Sequence, residues 1–329
     1  MIKSRSKYYY SRLGDSQKEV YKSLLLQWEK LEENPIVKVG NLKSEEITKI
    51  IKFINLDNPG LFYLDFSQFS YSLGNGLLRI DMKFVFPRKA ILQIEEKLNK
   101  VIQKVITKEV LALKEQFSKE LVIHDYLAKK VKYVSDGSFS QYTIVGALLK
   151  NKAVCDGYAK AFKLLCDKVE IPCILIHGEA DNGAIDSGNG HAWNIVKLGK
   201  KHAHVDVTWD STGSINDASI YSHLNLTDSQ IKKDHTWNDK LLPKCEADEL
   251  NYYSQIGESV VSAKQYKEFI KSQIDQHKKV FSVRVVGKEK NQETVMNVTR
   301  KILGQLRPFG YSYSLTYNKK RGIITIEMK

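Results

Sequence analysis

Three short segments carry a thiol, an imidazole and a carboxylate in fixed order: Ala153-Val154-Cys155-Asp156-Gly157-Tyr158-Ala159, Gly190-His191-Ala192-Trp193-Asn194, and His204-Val205-Asp206-Val207-Thr208-Trp209-Asp210. Cys155 and His191 are 36 residues apart, and His191 and Asp206 are 15 apart. Those spacings suit one domain and rule out a single helix. A thiolate attacks a carbonyl, an imidazole takes and returns the proton, and a carboxylate fixes the imidazole's tautomer. If the three converge, the chain is an enzyme that works through a thioester.

Each member has a local argument and an ordinary alternative. Asp156 and Gly157 follow Cys155, and Tyr158, Phe162, Leu165 and Cys166 continue a helical stripe. This places Cys155 at a helix start, where free N–H groups and the helix dipole favour the thiolate and can hold an oxyanion. Gly157 is expected to leave room there for a substrate backbone. The alternative is a buried, inert thiol, the reading adopted for Cys166 and Cys173. His191 follows the Gly-, Asp- and Asn-rich segment 181–190, read as a mobile flap, and opens a strand at a cleft rim; its alternative is a surface histidine. Asp206 is placed in a β-segment, facing away from Val205 and Val207; its alternative is a partner for one of the many lysines. Tyr142 is a candidate oxyanion donor beside the backbone N–H of Cys155. Trp193 and Trp209 are candidates to line a substrate groove, with core packing as the other reading. His202, His204 and Asp206 could be written as metal ligands, but that use competes with Asp206 as the orienting acid, so no metal and no cofactor is expected.

The elements that must position these groups follow from periodicity. Helices are predicted from Asp15 to about Glu33, from Ser44 to Ile54, and from Lys89 to Gln116. Between the last two, Phe62-Leu64-Phe66 and Leu78 to Phe86 alternate around Gly74-Asn75-Gly76, predicting a hairpin. In the middle of the chain a helix spans about Ser118 to Tyr133, and the Cys155 helix runs to about Val169. Strands are predicted at Cys173–His177, His191–Leu198 and His202–Trp209. The tail reads as strand 281–285, a helix ending near Pro308-Phe309-Gly310, and a hairpin of 311–317 with 323–328. The domains are accordingly set at 1–116, an α+β unit; 117–250, the catalytic domain; and 251–329, a linker helix and a small βαββ unit.

Composition narrows the class. The 329 residues are 42% hydrophobic and 27% charged, so the chain can bury real cores. Lys and Arg outnumber Asp and Glu by 51 to 38, but the lysines are dispersed along the chain and read as solubilising helices. The aromatic stretch from Tyr63 to Tyr71 alternates like a half-buried sheet, so nucleic acid is not the expected partner. Four cysteines without CxxC spacing point to free thiols in a reducing, cytoplasmic setting; an extracellular one follows only if a leader has been removed. No segment approaches a membrane span or a signal peptide. The oligomeric state is not legible.

Cys155 in Val-Cys-Asp-Gly-Tyr-Ala, His191 in His-Ala-Trp-Asn and Asp206 in His-Val-Asp-Val-Thr-Trp-Asp resemble the core of the transglutaminase-like superfamily, in its bacterial, protease-like branch. The resemblance covers about residues 118–212. It implies a papain-like α+β fold with Cys155 as nucleophile, His191 as base and Asp206 as orienting acid. Asn58-Pro59-Gly60-Leu61-Phe62-Tyr63 further resembles the amino-terminal region attached to such domains in Gram-positive bacteria. The expected activity is a cysteine peptidase or amidase acting on a protein or peptide. A cross-linking transglutaminase, or a binding scaffold that retains the fold, is the alternative.

Overall fold

Val20, Leu24, Leu25 and Trp28 fall on one face of α1 (Asp15–Glu29), and all four are buried, as their three-to-four spacing requires. The computed structural model describes residues 2–181, 190–212, 221–238, 240–287, 291–306 and 312–329. After α1 come β1 (Ile36–Lys38) and α2 (Ser44–Asp57), whose Ile47, Ile50, Ile51 and Ile54 are likewise buried. The predicted hairpin exists with one strand exchanged. Strand β2 (Ser70–Gly74) and β3 (Leu77–Asp81) pair around Asn75-Gly76, both at positive φ, and β1 adds to the other side of β3. Residues 61–64 are not the partner strand. All four are buried, so they are enclosed on every side and a period of two has no solvent face to mark; they pair instead with the chain beyond β3, through a Leu64–Phe84 bridge and the Val85 N–H donating to the Tyr63 carbonyl (2.9 Å).

The helix predicted to reach Gln116 is instead α3 (Arg88–Val105) and α4 (Lys108–Ala112). The break falls at Ile106-Thr107, where the Thr107 hydroxyl accepts the Val110 N–H and starts a new helix.

The centre of the molecule runs α5 (Gln116–Lys130), β4 (Lys132–Tyr133), β5 (Lys152–Ala153), α6 (Cys155–Lys168), β6 (Cys173–Ala180), β7 (Gly190–Leu198), β8 (Lys201–Val205), α7 (Val207–Thr212), β9 (Leu224–Leu226), α8 (Asp228–Ile231) and β10 (His235–Thr236). Five strands form an antiparallel sheet in the order β10-β6-β7-β8-β9, and the buried face of α6 packs on β6 and β7. The predicted strand to Trp209 stops at Val205. Asp206 ends it: its carbonyl accepts the Asp210 N–H (3.2 Å) and its Oδ1 accepts the Trp209 N–H (3.2 Å), which starts α7. Asp206 therefore does not face away from apolar neighbours; Val205, Asp206 and Val207 are all buried.

The tail holds α9 (Tyr252–Gln255), β11 (Ser259–Val260), α10 (Ala263–Asp275), β12 (Val280–Val285), α11 (Gln292–Leu306), β13 (Tyr313–Asn318) and β14 (Ile323–Met328). The expected βαββ unit is β12-α11-β13-β14, and β11 and α10 extend it to a sheet ordered β11-β12-β14-β13. The turn expected after α11, at Pro308-Phe309-Gly310, lies outside the described residues. The fold is α+β with a papain-like, transglutaminase-like core. Among the described residues the buried apolar side chains form two clusters, one spanning Ile2 to Cys245 and one spanning Val260 to Ile326. No described helix is long and apolar enough to cross a membrane.

Candidate active site

Cys155 is the first residue of α6. The preceding residue, Val154, is extended, and no side chain caps the helix, so the first-turn N–H groups have no intrahelical acceptor. Cys155 is partly exposed, while Cys166, Cys173 and Cys245 are buried; all four are free thiols. Burial pushes the Cys166 thiol well above its ordinary range, with Cys173 adding to the effect. Cys166 is thus inert, as the sequence reading had it.

Gly157 has a different task from the one its position suggested. A Cβ there would stand 2.3 Å from the Gln141 carbonyl oxygen and 2.9 Å from Ala153 Cβ. The glycine admits the protein's own chain against α6, not a substrate backbone. Asp156 is held by Lys160 Nζ (2.9 Å) and by His177 Nε2 (2.8 Å). Burial would raise its carboxyl, but those two charges outweigh it and hold it well below the usual carboxylate range.

His191 enters from the second position of β7. Its Nε2 donates to Asp206 Oδ2 at 2.7 Å, since a carboxylate only accepts. Cys155 faces the same ring and helps to raise its pKa, and with Nε2 committed to Asp206 the nitrogen left for the thiol is Nδ1. The sequence-predicted Cys155, His191 and Asp206 are therefore brought together. The His191 side chain is 9% exposed and that of Asp206 1%. Burial would lower the imidazole's pKa, but the Asp206 charge, reinforced by the hydrogen bond to Asp206 and by Cys155, raises it to about 10. Burial would likewise raise Asp206, but the His191 and His235 imidazoles hold its carboxyl far below the ordinary range.

Trp193 is 1% exposed, so it cannot line a groove. Its ring lies nearly parallel to His191 (19°, centroids 5.9 Å apart), and its indole N–H donates to His204 Nδ1 (3.1 Å). It is a floor beneath the base. Trp209 packs 5.9 Å from His191 and 4.5 Å from His235. Tyr142 is 44% exposed and lines a cleft of about 590 Å³ beside Asp156 and Lys160. The opposite wall of that cleft is Asn58, Pro59, Leu61, Phe62, Phe66 and Gln68 from the amino-terminal region.

The grouping of His202, His204 and Asp206 does not form. His204 Nε2 donates to Asp228 Oδ1 (2.9 Å) and Asp206 turns to His191 and His235. Two other sets have ligand atoms close together, His191-Asp206-His235 and His204-Asp228-Cys245. In each, hydrogen bonds already account for the imidazole nitrogens that face the carboxylate. The flap reading of the segment before Gly190 lies outside the described residues.

Sequence reasoning missed His235. It is wholly buried on β10, with Nε2 3.0 Å from the same Asp206 Oδ2 and Nδ1 2.7 Å from Asp234 Oδ1. Its one sequence signal is a second His-x-Trp, His235-Thr236-Trp237, after His191-Ala192-Trp193. Register places it: Thr236 pairs with Glu179 on β6, and Gly178, where a Cβ would stand 2.2 Å from the Thr236 oxygen, lets β10 close in.

The cysteine thus starts a helix packed against an antiparallel sheet, its histidine lies on that sheet, and its aspartate sits at the junction of β8 and α7. Residues 104–207 match the family model of the transglutaminase-like superfamily. The match includes Cys155, His191 and Asp206 and stops short of His235. No curated protein sequence matches the chain. Among solved structures it is similar to a candidate cysteine protease from Cytophaga hutchinsonii, with 17% identity, TM-score 0.29 and coverage of 43% of this chain and 61% of that one. It is similar to a TGase, with 14% identity, TM-score 0.32 and coverage of 56% and 52%. It is also similar to menin, with 13% identity, TM-score 0.28 and coverage of 68% and 49%. The chain thus spans less than two thirds of each of these structures.

Proposed function

We propose that the chain is a cysteine-dependent acyl-transfer enzyme that hydrolyses peptide or amide bonds of a protein or peptide substrate. The observation that carries this reading is the buried 2.7 Å contact of His191 Nε2 with Asp206, with the Cys155 thiol on the same imidazole. In the reaction, His191 takes the thiol proton and the Cys155 sulfur attacks the substrate carbonyl. The oxyanion is met by the Cys155 N–H, with Tyr142 as a second donor. The amine leaves with the proton from His191, and a thioester remains. Water then attacks the thioester, giving its proton to His191, and the acid departs as the thiol is restored. Water is favoured as acceptor because Cys155 is partly open to solvent and water needs no binding site of its own. Residues 1–116 contribute the outer wall of the substrate cleft, and a cytoplasmic, reducing setting keeps the thiol free.

The test is the alkylation rate of Cys155 by iodoacetamide at pH 6, read by mass spectrometry of its peptide. Cys155 is expected to outpace free cysteine, and His191→Ala is expected to remove that advantage; equal rates in all three overturn the reading. Incorporation of a labelled primary amine into a glutamine-containing protein, in place of hydrolysis, would assign the cross-linking alternative.

A further inference from the structure

The tail unit sends one side chain into the back of this site. Arg321 lies in the turn between β13 and β14, where Asn318 Oδ1 accepts its N–H (3.1 Å), and its own side chain is 2% exposed. The guanidinium grips Asp234 with one nitrogen at both oxygens (2.7 and 2.9 Å), and its other terminal nitrogen donates to the Gln230 carbonyl (2.6 Å). Asp234 Oδ1 meets His235 Nδ1, and His235 Nε2 meets Asp206 Oδ2, which holds His191. The contacts run without a break from Arg321 to His191, the imidazole that Cys155 acts on.

We infer that Arg321 is a positioning residue for the thiol centre, so that seating of residues 251–329 on the core sets the reactivity of Cys155. This rests on the proposed role of Cys155 and His191. Asp206 Oδ2 is shared by two imidazoles, so its orientation toward His191 depends on where His235 is held. Both nitrogens of His235 face carboxylates, which only accept, an arrangement that a ring donating from both sides satisfies. Trp209 packs on the face of that ring, and Asp234 holds its Nδ1 side. Asp234 in turn is buried to 2% exposure of its side chain, and the groups around it are His235, Arg321 and, at 3.6 Å, Lys320 Nζ. Burial opposes its charge, but His235 and Arg321 hold its carboxyl down at about 2. The planar fork of arginine suits this grip, and a lysine ammonium replaces its charge without its geometry.

The experiment follows Cys155 alkylation by iodoacetamide in the full chain from pH 5 to 9, for wild type, Arg321→Ala, Arg321→Lys and Lys319→Ala. Lys319 is exposed in the same turn and controls for loss of one positive charge there. Arg321→Ala is expected to slow the reaction at pH 6 at least tenfold and to change the shape of the pH–rate profile. Arg321→Lys is expected to fall between the two, and Lys319→Ala to stay within twofold of wild type. Should Arg321→Ala loosen the fold, the intermediate profile of Arg321→Lys carries the result. Wild-type rates in both Arg321 variants, or an equal loss in Lys319→Ala, would overturn the positioning role alone. A wild-type Cys155 no faster than free cysteine would overturn the thiol-centre reading and this inference with it.

Discussion

His191 is the residue on which the pH behaviour turns. Its value of about 10 in the folded chain stands above the unfolded 6.5. The stabilisation from its charged form is therefore complete below about pH 6.5 and is lost as pH rises through about 10. For catalysis the same shift keeps an acid available to the leaving amine, so kcat/KM is expected to stay level from about pH 6 to about 9 and to fall near 10. A pH–rate profile on a peptide substrate checks this. Cys155→Ala is expected to abolish turnover, and His191→Ala to lower it by about 10²–10⁴-fold, measured as kcat/KM. Gly157→Ala tests the packing reading: a methyl pressed on the Gln141 carbonyl is expected to cost about 1–3 kcal/mol in denaturant unfolding. The three reactive side chains were legible because their chemistry fixes their types. His235 was not, because a histidine that only supports a carboxylate looks in sequence like any buried polar residue, and Arg321, which holds its neighbour Asp234, is 86 positions from it.

At the scale of elements, α5 carries the more telling titrations. Glu120 and His124 are wholly buried on it, one turn apart. Burial raises Glu120 to about 7, moderated by a hydrogen bond from Asn225 and by His124. Burial would lower His124, but the charges of Asp125 and Asp210, with a hydrogen bond to Asp210 (3.0 Å), raise it to about 9. Both folded values exceed the unfolded ones, so both contributions are greatest at low pH. They are lost as pH rises, first through about 7 and then through about 9. Each is on the order of 3 kcal/mol. The thermal midpoint is expected to decline from pH 5 to 9, and Glu120→Gln to flatten the part below about pH 8, read by circular dichroism. Helices α1, α2 and α6 were legible because one apolar face meets one core. The β8–α7 junction was not, since Asp206 ends a strand and begins a helix with the same side chain, and its neighbours are apolar in either conformation. The stretch 61–64 misled for the same physical reason, being buried all round.

For the whole molecule, one apolar cluster joins the amino-terminal region to the central sheet and its helices, while the tail has its own. Shared packing makes the amino-terminal region a fixed wall of the cleft, and Gln68 stands exposed at its edge. Gln68→Trp is expected to raise KM for a peptide substrate by about threefold or more while leaving the iodoacetamide rate of Cys155 within twofold, a split that only a blocked substrate path produces. Among the described residues the tail meets the core through Arg321 with Asp234, Arg284 with Asp248 (2.5 Å), and Tyr252 stacked on Tyr221 with ring centroids 3.9 Å apart. Such long-range pairings leave no periodic trace, so the sequence could mark out the tail unit and not what it touches.

The place of Arg321 along the chain also sets an order in time. Cys155, His191, Asp206 and His235 all leave the ribosome well before it, and the last of them precedes it by 86 residues. At about 5–20 residues per second that interval is roughly 4–17 s. For those seconds the nascent chain holds every reactive group and lacks the guanidinium that closes the contact network behind them.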